Sequence, residues 1–380
     1  MKLLFILHST IMGGATISCL KLVHGLIDNN IVPIIVYPNR NVDKCFLDIV
    51  NKYGIKTYSV PIYSSVYMQA RTLKCLFVNL FKCVFLLIAK KYSISKIEKI
   101  AMCENPDIIH TNTGVIHEGL KVAKRLKIPH VWHLREYQDK DFNWEAFPCF
   151  SAYCQMLRKS YVITITNDIK AHFGLLDFPY SRTIYNGVFK ASEANFIYPK
   201  EKYFLCASRV SPEKGHLDII RAFALFLRKH VDYKLLIAGF GNESYIAQCV
   251  DLAKKLGCEK NVLFSGYVED VRPLMDNATA LVVASYNEGF GRMSAEACFR
   301  GCLLIGRNTG GTKEIMDSVG GFPFLTTDDL LRQMFVVASL DKFEYQRIAL
   351  SVQKKAIQLY SEEEYVKNIL LFYKEILCDR

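Results

Sequence analysis

The sequence lacks the features that mark disulfide-rich, zinc-binding and secreted proteins. It has 13 cysteines, but none shows the Cys-x-x-Cys spacing of a zinc site. The nearest neighbours, Cys149/Cys154 and Cys298/Cys302, fall in helix-like segments, which favours free, mostly buried thiols in a reducing cytoplasm. The apolar start at residues 1–7 is followed by a histidine and no cleavage-like site, so it predicts a first strand and no signal peptide.

Acidic residues are absent between Asp48 and Glu98, although the same stretch contains eight lysines and arginines. Its apolar centre includes Lys74 and Lys82, which argue against a membrane-spanning helix. Two interpretations stay open. A cationic helix with a large apolar face is typical of the interface of an anionic membrane, and the peripheral contact would then run through residues 66–100. Alternatively, the helix packs on the core and its lysines are solvated.

The composition is that of a globular protein that binds an anion. With 380 residues, 51% of them hydrophobic, the chain is too long for one core and predicts two domains. Lys and Arg total 48 and Asp and Glu total 37, and the resulting charge of +11 favours a phosphorylated small molecule, a nucleic acid or an acidic lipid. The basic residues are spread out and interleaved with aliphatic side chains, so we expect no nucleic-acid partner.

Short apolar runs alternate with amphipathic stretches, and this alternation predicts βαβ units with parallel sheets. Periodicity is lost near residue 190, which separates an N-terminal domain of residues 1–189 from a C-terminal domain of residues 190–361. The last helix, within residues 362–380, is expected to join the first domain. The strands are predicted at residues 3–7, 32–37, 107–110, 130–134 and 161–166, and then at residues 203–207, 234–238, 262–265, 280–284 and 303–305.

A glycine turn directly follows the first predicted strand. Gly13 and Gly14 would let the backbone approach a ligand, and the free N–H groups of the helix that begins there favour a phosphate. A tight turn without a ligand also explains the pair. A dinucleotide dehydrogenase would need Gly-x-Gly-x-x-Gly here and an acidic residue after the second strand, and the sequence has neither.

The C-terminal domain carries two further groups of polar residues after predicted strands. Arg209 and Lys214 lie on a loop before a helix, an arrangement that suits a diphosphate. Glu288 and Glu296 flank a glycine turn at the start of another helix. Carboxylates accept hydrogen bonds from sugar hydroxyls, and the amides of residues 290–292 are placed to hold phosphate or sugar oxygens.

The segment from Glu288 to Glu296 resembles the Glu-x7-Glu motif of the GT4 family of glycosyltransferases, which have the GT-B fold. The resemblance implies an α/β protein with two Rossmann-like β/α/β domains whose parallel sheets face each other across a cleft. Other landmarks fall in the family's order: the glycine turn at 13–14, Pro106-Asp-Ile-Ile-His110, Tyr185-Asn-Gly-Val188, Arg209 with Lys214, Ala238-Gly-Phe-Gly241 and Phe264-Ser-Gly-Tyr-Val268.

What the resemblance implies for activity is a retaining, hexosyltransferase-type glycosyltransferase. It would move a sugar from a nucleoside-diphosphate sugar to a glycan or lipid-linked acceptor, in surface polysaccharide or glycolipid biosynthesis. UDP is slightly favoured over GDP, no cofactor is expected, and the absence of a clear Asp-x-Asp motif agrees with metal independence. The expected location is cytoplasmic, with peripheral contact at the inner face of the membrane.

The resemblance also assigns roles to single residues. His133, Glu288, Arg209 and Lys214 would be the catalytic group, with His133 near the reacting centre, Glu288 on the donor sugar and both cations on the diphosphate. Arg135 and Glu136 would face the acceptor. The donor would be bound by Gly13, Gly14, Arg209, Lys214, Tyr267 and Val268 at the base, Glu288, Phe290, Gly291, Arg292, and Glu296 on the ribose.

Two alternatives remain open at this point. A GT-B relative such as a sugar-nucleotide epimerase or hydrolase would bind the same donor, and donor turnover that requires an acceptor would separate the two. A membrane-associated binding protein without catalysis is the other alternative. The presence of Arg209, Lys214, Glu288 and Glu296 together argues against it.

Overall fold

The structure is a computed structural model, and it describes residues 1–68, 73–146 and 148–379. The chain divides into two compact units. Unit 1 contains Met1–Gly187 and the C-terminal segment from Glu362, and unit 2 contains Val188–Ser361. Each unit is built around its own parallel sheet with helices.

The elements alternate along the chain as βαβ units require. The strands are β1 (Lys2–Leu7), β2 (Val32–Pro38), β3 (Lys56–Val60), β4 (Val66–Met68), β5 (Ile108–Asn112), β6 (His130–Leu134), β7 (Trp144–Ala146), β8 (Tyr161–Thr164), β9 (Ser181–Thr183), β10 (Glu201–Ala207), β11 (Lys234–Ala238), β12 (Val262–Gly266), β13 (Ala278–Val283), β14 (Leu303–Arg307) and β15 (Phe322–Phe324). The α-helices are α1 (Gly14–Ile27), α2 (Lys44–Lys52), α3 (Leu73–Glu104), α4 (Glu118–Leu126), α5 (Asp139–Phe142), α6 (Phe150–Leu157), α7 (Asn167–His172), α8 (His216–Leu227), α9 (Glu243–Lys255), α10 (Arg272–Asn277), α11 (Arg292–Phe299), α12 (Gly310–Val319), α13 (Thr327–Ser339), α14 (Lys342–Tyr360) and α15 (Glu362–Cys378).

The sheet of unit 1 has the strand order β3-β2-β1-β5-β6-β8-β9, and all of its pairings are parallel. The central strand β1 is apolar along its length, and Leu3–Leu7 are fully buried because both faces of the sheet are covered. The chain moves to one side of β1 for β2 and β3, and to the other side for β5 and the later strands. The order therefore reverses between β1 and β5, where α/β sheets bind ligands at the carboxyl ends of the strands. A short antiparallel pair, β4 with β7, lies outside this sheet.

The sheet of unit 2 has the order β12-β11-β10-β13-β14-β15, and it reverses between β10 and β13. The loop after β11 packs against the loop after β10. The Val210 N–H donates to the Phe240 carbonyl at 3.0 Å, which joins the two loops. A Cβ added to Gly239 would overlap the Ser208 carbonyl, and one added to Gly241 would overlap the Val210 carbonyl. Only glycine allows the two loops to lie so close.

The C-terminal helix α15 packs into the core of unit 1. Its attachment includes a buried guanidinium: Arg135 donates to Asn112 Oδ1 at 2.7 Å, to Asn186 Oδ1 at 2.6 Å and to the Tyr365 hydroxyl at 2.9 Å. A second bond of 2.7 Å joins the Tyr373 hydroxyl with His110 Nδ1. The last residues of the chain therefore complete the fold of its first part.

Every strand predicted from an apolar run is present, with bounds that differ by a few residues. The sequence missed the edge strands β3, β9 and β15 and the small pair of β4 with β7. Edge strands are partly exposed, and four of these five elements have only three residues, so they carry no continuous apolar run.

The cationic segment predicted at residues 66–100 forms β4 and most of α3. Arg71 and the side chains of Lys74 and Lys82 lie outside the described residues. Within the described part, α3 exposes Val78, Phe85, Ile88 and Tyr92. Across the described ranges, no helix combines the length and apolar character needed to cross a bilayer.

Two ion pairs join α3 to α4 and differ in burial, which makes them a matched set for measurement. Lys90 Nζ lies 3.6 Å from Glu118 Oε1 with both side chains buried, and burial lowers the pKa of Lys90. Replacing Lys90 by Met leaves a buried carboxylate without its cation, so we expect the free energy of unfolding to fall by about 3–5 kcal/mol in urea titrations.

The control is the exposed pair of Arg125 and Glu98, 2.7 Å apart. Glu98→Gln is expected to cost less than about 1 kcal/mol because water screens this pair. Equal losses in the two variants would contradict the assignment of the Lys90–Glu118 pair as a buried stabilising contact.

Candidate functional site

A cavity of about 180 Å³ lies in unit 2 at the carboxyl ends of β10 and β13, where the strand order reverses. Its walls come from the loop after β10, the loop after β13 and the first turn of α11. The lining residues are Cys206, Ala207, Ser208, Arg209, Lys214, Val282, Val283, Ala284, Ser285, Glu288, Gly291, Arg292, Met293 and Ser294. Five of the residues predicted to bind a donor therefore lie around one cavity: Arg209, Lys214, Glu288, Gly291 and Arg292.

Lys214 and Glu288 form the centre of this site. Lys214 Nζ lies 2.5 Å from Glu288 Oε1, and the Ser285 hydroxyl donates to the same oxygen at 2.7 Å. The two loops meet because β10 and β13 are hydrogen-bonded neighbours. Gly215 has a left-handed φ of 70°, and a side chain there would overlap the Ala284 carbonyl, so glycine is needed for this close approach.

Arg209 reaches the rim of the cavity with a largely exposed side chain. Its guanidinium lies 2.6 Å from Glu213 Oε1, which also accepts from the Ser211 hydroxyl at 2.6 Å. Partial burial acts to raise the pKa of Glu213, but hydrogen bonds, including those from Ser211 and Arg209, lower it below its ordinary value. The carboxylate is therefore ionised and occupies the guanidinium face that a phosphate would use.

The helix α11 begins at the cavity wall. Its N-cap is Gly291, whose φ of 79° is left-handed, and the preceding Phe290 is buried with its ring edge-on to Tyr360. Glu296 is 3% exposed, and its Oε1 accepts from Arg292 Nε at 2.5 Å. The helix N-terminus adds partial positive charge to the cavity, which favours an anionic group.

Each basic side chain predicted for the donor is matched with a carboxylate: Arg209 with Glu213, Lys214 with Glu288, and Arg292 with Glu296. The three pairs sum to no formal charge. An entering diphosphate must therefore compete with the carboxylates for these cations. The N-terminus of α11 supplies a further attraction for the diphosphate.

Two exposed aromatic side chains lie together on the loops that follow β11 and β12. Phe240 is 64% exposed, Tyr267 is 69% exposed, and their ring centroids are 5.8 Å apart. Val268, the other residue predicted at the base, is partly exposed beside Tyr267. Sequence reasoning missed Phe240, although a large aromatic side chain between Gly239 and Gly241 was the available signal.

In unit 1, Gly13 and Gly14 lie where α1 begins. This helix follows β1, which is one of the two strands between which the strand order reverses. A Cβ added to Gly14 would meet no protein atom within 4 Å, and one at Gly13 would only just reach the Ile11 carbonyl. Packing of the protein therefore does not require these glycines. They leave open space at the N-terminus of a helix of 14 residues, which suits a phosphate.

His133 is fully buried at the end of β6, with its ring between those of His110 and Tyr365. Burial, and then the charge of Arg135, hold the pKa of His133 well below its usual value, so the imidazole is neutral. Its Nε2 has no hydrogen-bond partner among the described residues. Arg135, which was predicted to face an acceptor, is buried, and its guanidinium donates to Asn112, Asn186 and Tyr365 inside unit 1.

Glu136 is a carboxyl group of unit 1 whose pKa is strongly affected by burial. Its Oε1 accepts from the Gly114 N–H at 3.1 Å. Burial raises the pKa of Glu136 to about 7, against the lowering effects of the Gly114 N–H and Arg135. The side chains of Gln138 and Tyr153 are buried beside Gly114, and a Cβ added there would overlap both of them. Neither side chain has a hydrogen bond of normal geometry to a described residue.

No group of three or more metal-ligating side chains occurs among the residues that the structure describes. The segment from Asp139 to Asp141 has Asp-x-Asp spacing, although the sequence was expected to contain no clear motif of this kind. Asp141 accepts from the Tyr137 N–H at 2.7 Å, and Asp139 lies 3.0 Å from His172 Nε2. Both carboxylates thus have local structural partners.

Comparison with known proteins places this site in context. Residues 188–324, within unit 2, match the family model described as "Glycosyl transferases group 1". An uncharacterized glycosyltransferase of Methanocaldococcus jannaschii is 26% identical over 340 residues, which cover 80% of this chain and 79% of that protein. The N-acetyl-alpha-D-glucosaminyl L-malate synthase of Bacillus anthracis is 32% identical over 120 residues, which cover 32% of this chain and 31% of that protein.

Among solved structures, the Anabaena protein HepE in complex with UDP matches with a TM-score of 0.78 at 18% identity, covering 99% of this chain and 100% of that chain. Its complex with UDP-glucose matches with a TM-score of 0.74 at 19% identity, with the same coverage. The likeness shows the fold: the chain has two Rossmann-like domains of the GT-B type, and this prediction is confirmed.

The raised pKa of Glu136 predicts a pH effect with a definite sign. Its ordinary pKa is about 4.3 in an unfolded chain, so between about pH 4 and pH 7 the folded protein binds more protons and stability falls as pH rises. Glu136→Gln keeps an oxygen that accepts from Gly114 but removes the titration. The stability advantage of Glu136→Gln over the wild type should be larger at pH 8 than at pH 5, by at most about 1.4 kcal/mol per pH unit.

The measurement is the melting temperature of both proteins at the two pH values. Comparing the variant with the wild type at each pH cancels the buried histidines, which titrate equally in both. An advantage that is the same at pH 5 and pH 8 would show that Glu136 has an ordinary pKa.

Proposed function

We propose that this chain is a retaining, metal-independent glycosyltransferase of the GT4 type that takes its sugar from a nucleoside-diphosphate sugar. One observation carries the proposal. Lys214 and Glu288 meet at the point where the strand order of unit 2 reverses, next to the N-terminus of α11, inside the segment that matches a glycosyltransferase family model. This arrangement offers a cation, a carboxylate and backbone amides to one small ligand.

The diphosphate is held by Arg209, Lys214 and the first amides of α11. As the bond to the sugar breaks, negative charge grows on the leaving nucleoside diphosphate, and two cations and a helix dipole stabilise it. Binding requires Arg209 to leave Glu213 and Lys214 to share Glu288. In this scheme Arg209, Lys214 and the N-terminus of α11 take the place of a divalent cation at the diphosphate.

The sugar hydroxyls are bound by Glu288 and the ribose hydroxyls by Glu296. Glu288 is already oriented by Lys214 and Ser285, and Glu296 by Arg292. The bonds to Glu288 stabilise its negative charge, which makes it a better hydrogen-bond acceptor than nucleophile. Retention then proceeds with the donor phosphate assisting deprotonation of the acceptor, without a covalent intermediate on the protein.

The base lies against the aromatic pair of Phe240 and Tyr267, with Val268 contributing backbone hydrogen bonds. An aromatic face stacks on any base, so the pair favours binding of a nucleotide but does not determine which base it carries. We infer UDP as the carrier because HepE, which shares the fold, was solved with UDP and UDP-glucose.

The acceptor is a glycan or a lipid-linked sugar, and the product belongs to surface polysaccharide or glycolipid biosynthesis. Gly13 and Gly14 bind donor phosphates, His133 lies near the reacting centre, and Glu136 faces the acceptor. The exposed apolar residues of α3, with Lys91 and Lys96 beside them, support peripheral contact with an anionic membrane, where a lipid-linked acceptor resides.

The roles of Arg209 and Glu288 differ, and two variants separate them once a panel of nucleotide sugars in thermal-shift assays has identified the best donor. Arg209→Ala removes a charge-assisted hydrogen bond, so UDP affinity should fall by about 10- to 100-fold and turnover with it. Glu288→Gln should keep UDP affinity within about threefold and lower turnover by about 100-fold or more. Calorimetry gives the affinities, and UDP release gives the turnover.

Arg221→Ala is the control, since Arg221 also forms an exposed local ion pair in unit 2, with Asp218, but does not line the cavity. It should leave both quantities unchanged. Full activity in Arg209→Ala or Glu288→Gln would overturn the assignment. Donor turnover that proceeds equally without any acceptor would favour a hydrolase or epimerase.

Phe240→Ala should weaken UDP binding while leaving pyrophosphate binding unchanged, because only the base reaches the aromatic pair. Stacking on one aromatic side chain contributes about 1–3 kcal/mol, so the expected loss is about 5- to 100-fold. Phe343, which is 79% exposed on α14, provides the matched control as Phe343→Ala. Equal weakening of UDP and pyrophosphate would place Phe240 away from the base.

A further inference from the structure

A second cavity, of about 390 Å³, lies in unit 1 at the amino-terminal ends of β6 and β8. The site residues predicted in unit 1 lie toward the carboxyl ends of its strands. The cavity is bounded by the ends of α4 and α6 and by the starts of β6 and β8. His133 and Glu136 lie at and beyond the other end of β6. The proposed function makes no use of this cavity.

Four of the residues that line this cavity are basic: Lys124, Lys127, Arg158 and Lys159. None of its described lining residues is acidic. Arg158 is held in place, since its guanidinium donates to the Gly174 carbonyl and lies 5.5 Å from the centre of the Phe178 ring. A concave surface with four cations and no carboxylate of its own favours an anion.

Negative charge near the cavity comes from outside its lining. The carboxyl-terminal ends of α4 and α6 point here, and together they contribute about one unit of negative charge. Glu98 is engaged by Arg125, and burial together with the nearby Asp379 raises the pKa of Tyr161, but neither carboxylate lines the cavity. The described lining itself therefore offers an anion four cations and no carboxylate.

The rest of the wall is apolar and aromatic. Leu120, Ala123, Ile128 and Pro129 line one part, and the rings of Tyr161 and Tyr180 meet edge to face at 5.4 Å. The floor is fixed by the buried His130, whose two ring nitrogens lie 2.7 Å from the hydroxyls of Thr111 and Ser160. The ligand that fits this wall carries both an anionic and an apolar part.

We propose that this cavity is a binding site for a phosphate group attached to an apolar or planar moiety. The phosphate meets Lys124, Lys127 and Lys159, and the attached group lies against the apolar wall and the tyrosines. A phospholipid headgroup and a soluble phosphate ester share this chemistry. The site is separate from donor binding, and the proposal holds whether or not the chain is a glycosyltransferase.

The two sources are distinguished with defined probes on the full chain. Sedimentation with vesicles of phosphatidylglycerol and phosphatidylcholine, against phosphatidylcholine alone, tests the lipid. Thermal shift with glycerol 3-phosphate and inorganic phosphate tests the soluble ligand. The test variant is Lys124→Gln with Lys127→Gln, and the matched control is Lys254→Gln with Lys255→Gln, which removes the same charge from the last turn of α9 in unit 2.

The wild type should bind at least one of the probes. Removal of a lysine from an anionic surface weakens binding about fivefold, so the double variant at 124 and 127 should bind vesicles about 30-fold more weakly, and the control should match the wild type. Lys159→Gln alone should show about a fivefold loss and guards against misfolding of the double variant.

Binding of vesicles but not of the soluble probes identifies a lipid headgroup, and binding of the soluble probes identifies a phosphate ester. Both support the proposal if the variant at 124 and 127 alone is impaired. The proposal is overturned if no probe binds, or if the two double variants lose affinity equally. UDP affinity should be the same in the wild type and in all of these variants.

Discussion

The hydrogen-bonded pairing of β10 with β13 is the constraint on which the candidate site depends. These strands are far apart in sequence, and they become neighbours because the chain fills one side of β10 before it returns to the other. Their carboxyl ends then deliver two loops to the same place, and the ion pair of Lys214 with Glu288 joins them. Gly215 allows the loops after β10 and β13 to approach each other, and Gly239 and Gly241 allow the loop after β11 to lie against the loop after β10.

The central strands were predictable because burial on both faces of a parallel sheet requires an unbroken apolar run. β1 and β11 illustrate this, since their bounds follow the apolar residues closely. The edge strand β3 was not predictable, because Lys56–Val60 is partly exposed and reads as a polar connection. Its position is fixed by pairing with β2, which is information that no local pattern contains.

At the candidate site, the order of residue types along the chain was enough to predict which loops line the cavity of unit 2. The sequence could not show which carboxylate pairs with each cation. The partner of Arg209 is Glu213, which is not among the residues that the family resemblance assigns to the site. Nor could it show that Arg135 is buried: its three partners come from separate elements, and one of them, Tyr365, is 230 residues away. Long-range partners of this kind depend on the tertiary structure.

The return of α15 to unit 1 has a consequence for how the protein is made. Residues 188–361 form one continuous unit, so they have their whole core once that stretch has left the ribosome. The first 187 residues emerge earlier but lack the side chains of Tyr365, Ile369, Phe372 and Tyr373, which belong to their core. Domains usually complete in order from the N-terminus. Here the half that is translated first becomes complete last, and part of its core stays unfilled until the final helix has been synthesised.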